Sequence, residues 1–377
     1  MLWNGQASPS IPHGKRDEMN LQNQRSHQFP VTHLRLTCAS WIVAAMAVLS
    51  GCQRAQPPEF SSSDAAQALP AEMRDAVRKE LAVHVGTFLQ PKLLAAAEDP
   101  HPSLSRGQAV YQQRCEQCHG VSGDGKGIAS EFLYPRPRDY RKGVFKFTST
   151  PYGYRPQRDD LLKTVRQGIK GTSMPGFALL PESDQQAVVD YVIMLSRRGE
   201  LESQIVDMAD TDSAVNAEDV QSELVPAVLS RWTEADASEV FPASPPPRFT
   251  SANVERGKIA FLTKGCSKCH GEDGRGQTAD NRGADAWGHQ TRAADLTSGM
   301  LHGGNRPIDI YRRIYNGING TPMPGFANVL KDNPETVWDL VSYVLFVTNR
   351  RRQGEIPTPG AIKPYVPLPT ASSNTAP

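Results

Sequence analysis

The stretch Cys115-Glu116-Gln117-Cys118-His119-Gly120 returns as Cys266-Ser267-Lys268-Cys269-His270-Gly271, 151 residues later. Both copies continue with the same glycine pattern, Gly123-Asp124-Gly125 and Gly274-Arg275-Gly276. Farther on, Asp160–Phe177 (DLLKTVRQGIKGTSMPGF) aligns without a gap with Asp309–Phe326 (DIYRRIYNGINGTPMPGF), nine of eighteen positions being identical. Near-constant offsets mean that one module has been copied in line, with small differences in its loops. The copies are expected over residues 101–200 and 251–350.

Helical signals dominate each copy. A first helix, Ser105 to Arg114 or Asn253 to Lys264, leads into the cysteine motif. A second, Arg158 to Gln167 or Pro307 to Asn316, stops at Gly168 or Gly317, where glycine accepts the left-handed conformation of a helix end. A last helix carries Val188, Tyr191, Val192 and Leu195, or Val337, Leu340, Val341 and Val344, on one face, the spacing of an amphipathic helix. Asn333-Pro334-Glu335 is a start signal for its second copy. The expected fold class is all-α. Each module of about 100 residues has a modest apolar core, and a large bound ligand would supply much of the missing buried surface.

Cys-x-x-Cys-His is the attachment pattern of c-type haem. Two thiols one helical turn apart suit the haem vinyl groups, and the adjacent histidine falls beneath the iron. Zinc would need a second pair of ligands some 12–20 residues away, yet the next cysteine after Cys118 is Cys266. A redox pair of the thioredoxin kind would leave the trailing histidine and the duplication without a reason. The expected cofactors are two covalently bound haem c groups, on Cys115 and Cys118 and on Cys266 and Cys269, with His119 and His270 as proximal iron ligands. Sixth ligands are expected at Met174 and Met323, 55 and 53 residues beyond their histidines, each in a repeated Met-Pro-Gly-Phe turn. A thioether is a soft ligand that favours ferrous iron and raises the potential. Met194, aligned with Phe346, reads as core; Met300, His289 and His302 have no counterpart in the first copy; His84 and His101 precede the motif and read as surface residues.

Each module resembles a class I cytochrome c domain, over roughly 200 of the 377 residues. The matching parts are the first helix with Tyr111 or Phe261, the Cys-x-x-Cys-His-Gly motif, the Met-Pro loop and the last helix. The resemblance implies two tandem helical bundles, each wrapped around a haem with its first and last helices crossing. It also implies a proximal histidine that donates its second ring proton to a backbone carbonyl near a proline. Pro135 and Pro137 mark such a loop in the first copy, whereas the second has Arg292-Ala293-Ala294 before Asp295.

Outside the copies, residues 1–51 read as a signal peptide whose apolar run Leu36–Leu49 is too short to span a bilayer. Leu49-Ser50-Gly51-Cys52 resembles a bacterial lipobox, which implies cleavage before Cys52 and acylation of its thiol; a plain signal peptide or an uncleaved anchor is the competing reading. Met19 is an alternative start, and Cys38 would leave with the signal. Residues 52–100 read as a tether with a helix over Ala71 to Leu89, residues 201–250 as an acidic, proline-containing linker, and residues 351–377 as a disordered proline-rich tail.

A formal net charge of +1 argues against a nucleic-acid binder. With 38% hydrophobic and 21% charged residues, the chain is not a polytopic membrane protein. Ten bases against three acids between Tyr134 and Lys170 mark either a docking face for an acidic redox partner or a solvated, internally neutralised surface. The expected function is electron transfer by an exported, membrane-tethered di-haem cytochrome facing the periplasm. It would pass single electrons between respiratory or dehydrogenase partners, with no small-molecule substrate. The alternatives are a haem subunit of a larger oxidase or dehydrogenase complex, and a di-haem enzyme such as a peroxidase or thiosulfate dehydrogenase, which would need one displaceable sixth ligand.

Overall fold

The computed structural model describes residues 58–94, 103–279 and 282–350. Expectations about the signal segment, Cys52, His101 and the tail fall outside these residues. The chain is helical, as expected, and its elements run α1 (Asp64–Ala68), α2 (Ala71–Val85), α3 (Leu104–Arg114), α4 (Glu116–His119), α5 (Arg158–Gln167), α6 (Glu182–Asp212), α7 (Val225–Asp236), α8 (Ser251–Thr263), α9 (Cys266–His270), α10 (Pro307–Asn316) and α11 (Glu335–Arg350). A small antiparallel hairpin, β1 (Arg282–Ala284) with β2 (Gln290–Arg292), interrupts the second copy.

In each copy the first helix crosses the last: α3 on α6, and α8 on α11. Glycine sets both crossings. A Cβ added at Gly107 would lie 2.1 Å from the Ala187 carbonyl oxygen, and one at Gly257 would lie 2.0 Å from that of Asp339. Only a residue without a side chain lets the backbones approach so closely. The crossings are sealed by tilted ring pairs, Tyr111 with Tyr191 at 5.2 Å and Phe261 with Tyr343 at 5.1 Å between centroids. Met194 is fully buried in the first core, as expected, although its repeat counterpart Phe346 is exposed.

The segment expected to open a linker at 201 is instead the far half of α6. Leu201, Ile205, Val206 and Ala209 are buried there, in one core with Val77, Leu81 and Val85 of α2 and Val225, Val228 and Trp232 of α7. The acids that looked like a solvated run are partly structural. Glu200 is 4% exposed, accepts Arg155 at 2.9 and 2.6 Å, and takes the Trp232 indole N–H at 3.0 Å. Glu202 is paired with Arg198 at 3.0 Å. Helical periodicity with small and apolar residues carried the helix past the module boundary, which composition alone obscured. The proline-rich stretch lies on the second copy, where the Ser244 carbonyl accepts the Trp338 indole N–H at 3.1 Å.

Candidate haem sites

The first cysteine of each motif, Cys115 or Cys266, packs against its module's core. Burial pushes the Cys115 thiol up to about 12 and Cys266 up to about 11, so both stay protonated. The four motif cysteines form no disulfide.

His119 Nδ1 lies 3.1 Å from the Arg138 carbonyl oxygen, and His270 Nδ1 lies 3.1 Å from that of Ala294. A carbonyl can only accept, so Nδ1 carries the proton and Nε2 keeps the lone pair for a metal. The first partner follows Pro137; the second has no proline beside it. The proline is therefore dispensable: a carbonyl at the right place suffices. Burial holds His119 down to about 4, the Arg138 charge acting in the same direction and the carbonyl bond opposing; burial also lowers His270. The surroundings differ. Tyr140 stacks on His119, with centroids 4.7 Å apart and planes at 22°, whereas the ring beside His270 is the tilted Phe261 at 6.3 Å.

Met174 and Met323 stand in two copies of one loop. The Met174 carbonyl accepts the Ile169 N–H at 3.0 Å, and its own N–H reaches Thr172 Oγ1 at 3.1 Å. The Met323 carbonyl accepts the Ile318 N–H at 3.1 Å, and its N–H reaches Thr321 Oγ1 at 3.3 Å. Each threonine hydroxyl closes the loop by donating to the isoleucine carbonyl at 2.8 Å. Gly168 and Gly317, at φ 64° and 74°, let the loop turn back on the helix end; a Cβ there would lie 2.6 and 2.8 Å from the methionine carbonyls. Phe177 and Phe326 anchor the far side through N–H bonds to Val165 and Ile314. Both methionines are half-buried. Paired thiols, a proximal-type histidine with its tautomer fixed, and a thioether on a rigid loop are a donor set that fits haem c.

The two modules are bonded to each other through these loops. Asn319, four residues before Met323, is 4% exposed and accepts the Gly153 N–H at 2.8 Å, while its Nδ2 reaches Tyr154 O and Thr148 Oγ1, each at 3.4 Å. Asn316 Nδ2 donates to Thr150 O at 2.8 Å, and Lys163 pairs with Asp309 at 2.5 Å. In the other direction the His302 ring contacts the Lys170 carbonyl, four residues before Met174. His302 and Met300, discounted as ligands, are thus contact residues of the interface.

These contacts resolve the basic stretch of the first module. Arg136 bonds the Ser130 carbonyl, Arg141 pairs with Asp139, Arg155 with Glu200, Arg158 with Asp190 and Arg166 with Glu182, while Arg138, Lys142 and Lys163 reach the second module. The surplus is neutralised in part within the chain, by acids on α6 and on the second copy. Sequence reasoning did not point to Tyr140, Trp287 and Asn319, for which no short-range pattern exists.

Two family models match at these places: Cytochrome C oxidase, cbb3-type, subunit III over residues 102–192, and Cytochrome c over residues 254–348. The chain therefore carries two c-type cytochrome domains and two covalently bound c-type haems, and its chemistry is haem-based electron transfer with redox partners. Among solved structures, a chain of the Kuenenia stuttgartiensis reducing HAO-like protein complex Kustc0457/Kustc0458 is 29% identical, with a TM-score of 0.51, the match covering 64% of this chain and 95% of that one. No curated protein matches the chain.

Proposed function

We propose that Cys115 and Cys118 attach the first haem, with His119 and Met174 as its axial ligands, and that Cys266, Cys269, His270 and Met323 serve the second in the same roles. The observation that carries this reading is the duplication, at matching distances, of both the histidine–carbonyl bond and the methionine cage. The haem, when bound, supplies a one-electron couple. The chain's own residues keep its surroundings fixed: the carbonyls of Arg138 and Ala294 orient the histidines, and the threonine-closed loops present the thioethers. Rigid ligands of this kind change little between oxidation states, which suits a carrier more than a catalyst with an open position.

The carrier would be exported, tethered through a lipid on Cys52 to a bacterial membrane, and would pass single electrons between two partner proteins. Among the described residues no helix is long and apolar enough to cross a membrane. The likeness to a chain of the reducing HAO-like complex supports a second reading, in which this protein works as a subunit of a larger assembly and serves that assembly's catalyst.

Detergent extraction from native membranes followed by size-exclusion chromatography distinguishes the two. A di-haem species of one chain supports the carrier, and a stable larger complex supports the subunit. Mass spectrometry of the mature protein tests attachment: two haem masses with Cys115, Cys118, Cys266 and Cys269 blocked, and an acylated N-terminal Cys52, are expected. Unmodified motif thiols would overturn the assignment.

A further inference from the structure

The hairpin that interrupts the second module has an unexplained reach. Its turn carries Trp287, and the Arg138 guanidinium of the first module sits 3.6 Å above the centre of that ring. Lys142 lies 5.7 Å from the same ring and donates to the Ala286 carbonyl at 2.8 Å. On its other side the ring rests on the backbone of Gly320, where an added Cβ would lie 2.6 Å away, and the Ala286 N–H bonds the Gly320 carbonyl at 2.9 Å. Gly320 is three residues before Met323. Arg138 thus touches both sites: its carbonyl holds His119, and its side chain is stacked on the ring that covers the second methionine loop.

The charge at this junction is positive. Arg138 and Lys142 both lie over the Trp287 ring, and Lys146 is close enough to Arg138 to feel its charge. The acids that face Arg138 are Asp285 and Asp139. Asp139 is already committed to Arg141 at 2.9 and 3.0 Å, and Asp285 accepts the N–H groups of Trp287 and His289 at 3.0 Å. Arg138 and Lys146 therefore share Asp285. The carbonyl that holds the second histidine belongs instead to Ala294, whose side chain carries no charge. A fixed positive charge near an iron site disfavours the ferric state, which is the more positive one, and a weakly solvated guanidinium on an aromatic face is held in place without long-lived hydrogen bonds to water.

We propose that Arg138, positioned by Trp287, raises the potential of the first haem above that of the second and so directs electrons from the second module into the first. This rests on the ligand assignment above. The transfer is balanced within the chain: one electron leaves ferrous iron on the second module and reduces ferric iron on the first, with no proton or further reactant. Trp287 and Arg138 act as positioning residues and undergo no redox change.

An equilibrium redox titration of the full haem-loaded protein tests the proposal. Replacing Met323 by histidine lowers the second haem's potential, since His/Met ligation is the higher, and thereby identifies the two waves. The first haem's wave should lie above the second in the unaltered protein. In Arg138→Met the first haem's ferric-to-ferrous ratio at fixed potential should rise at least tenfold, about 59 mV for one electron, and by more than that of the second haem. Arg138→Lys should keep most of the shift, and Trp287→Leu should lower the same wave. A first wave that lies below the second, or stays in place in Arg138→Met, or an Arg138→Lys as low as Arg138→Met, would overturn the proposal. If Arg138→Met does not fold, Arg138→Lys and Trp287→Leu decide. Failure of the ligand assignment would be seen separately, as an unaltered protein whose ferric spectrum is not that of two low-spin His/Met haems.

Discussion

Replacing Asn319 by alanine should unlock the two modules. The side chain is almost fully enclosed and makes three bonds to the first module, one of them short: the Gly153 N–H at 2.8 Å, with Tyr154 O and Thr148 Oγ1 each at 3.4 Å. A well-formed hydrogen bond contributes about 1 kcal/mol net. The two long bonds together add no more than about 1 kcal/mol on the same scale. The expected cost is therefore about 2 kcal/mol, or about 30-fold in the equilibrium between docked and undocked modules. Lys170, the repeat equivalent, is exposed, and Lys170→Ala should stay within about 0.5 kcal/mol. Urea unfolding of the haem-loaded protein, followed by far-ultraviolet circular dichroism and by haem absorption, reads both. Asn319→Ala should lower the midpoint and separate the two transitions as the modules lose their coupling. Unchanged unfolding in Asn319→Ala, or an equal loss in Lys170→Ala, would refute the reasoning that the second methionine loop is the lock.

Three further outcomes follow from the same contacts. Glu200→Leu leaves Arg155, whose side chain is 13% exposed, without its carboxylate, and should cost about 3–5 kcal/mol, the range for a broken buried pair; denaturant unfolding checks this, and Glu200→Gln, which keeps the Trp232 bond, should cost less. Gly107→Ala and Gly257→Ala should each destabilise by about 1–3 kcal/mol through forced separation of the crossed helices; differential scanning of the pair should show similar losses, since the blocked distances, 2.1 and 2.0 Å, are nearly equal. For Asp309, burial alone would raise the carboxyl, but bonds from Arg306 and Lys163 outweigh it and hold the group below its ordinary 3.8. A carboxyl held low in the folded state contributes stability that is complete above the unfolded value and is lost as pH falls through the folded one. Stability measured below pH 4 should therefore fall less steeply in Asp309→Asn than in the unaltered protein.

What could be read before the fold was known divides along physical lines. The two Cys-x-x-Cys-His motifs were legible because their residue types recur at a fixed local spacing, and the loops of Met174 and Met323 because they were duplicated intact. The last helices were visible as apolar faces, while their crossing by the first helices was implied only by the resemblance to class I cytochrome c domains. The far half of α6 was not, since its acids dominate the composition while Leu201, Ile205 and Ala209 carry the packing. Nor was the Ala294 carbonyl, because a backbone acceptor has no residue signature. The basic stretch between Tyr134 and Lys170 was counted correctly but could not be placed. Its partners, Asp190, Glu200, Asp309 and the Trp287 ring, lie on segments brought to it only by folding.

The central claim is that this chain holds two low-spin haems, each between a histidine and a methionine. The ferric protein's methionine-to-iron charge-transfer absorption, recorded for the unaltered chain, Met174→Ala and Met323→Ala, tests it most directly. The account predicts a band equivalent to two His/Met haems, reduced to one in each variant and accompanied there by a high-spin signal. A band that is absent from the unaltered chain, or unchanged in either variant, would contradict it.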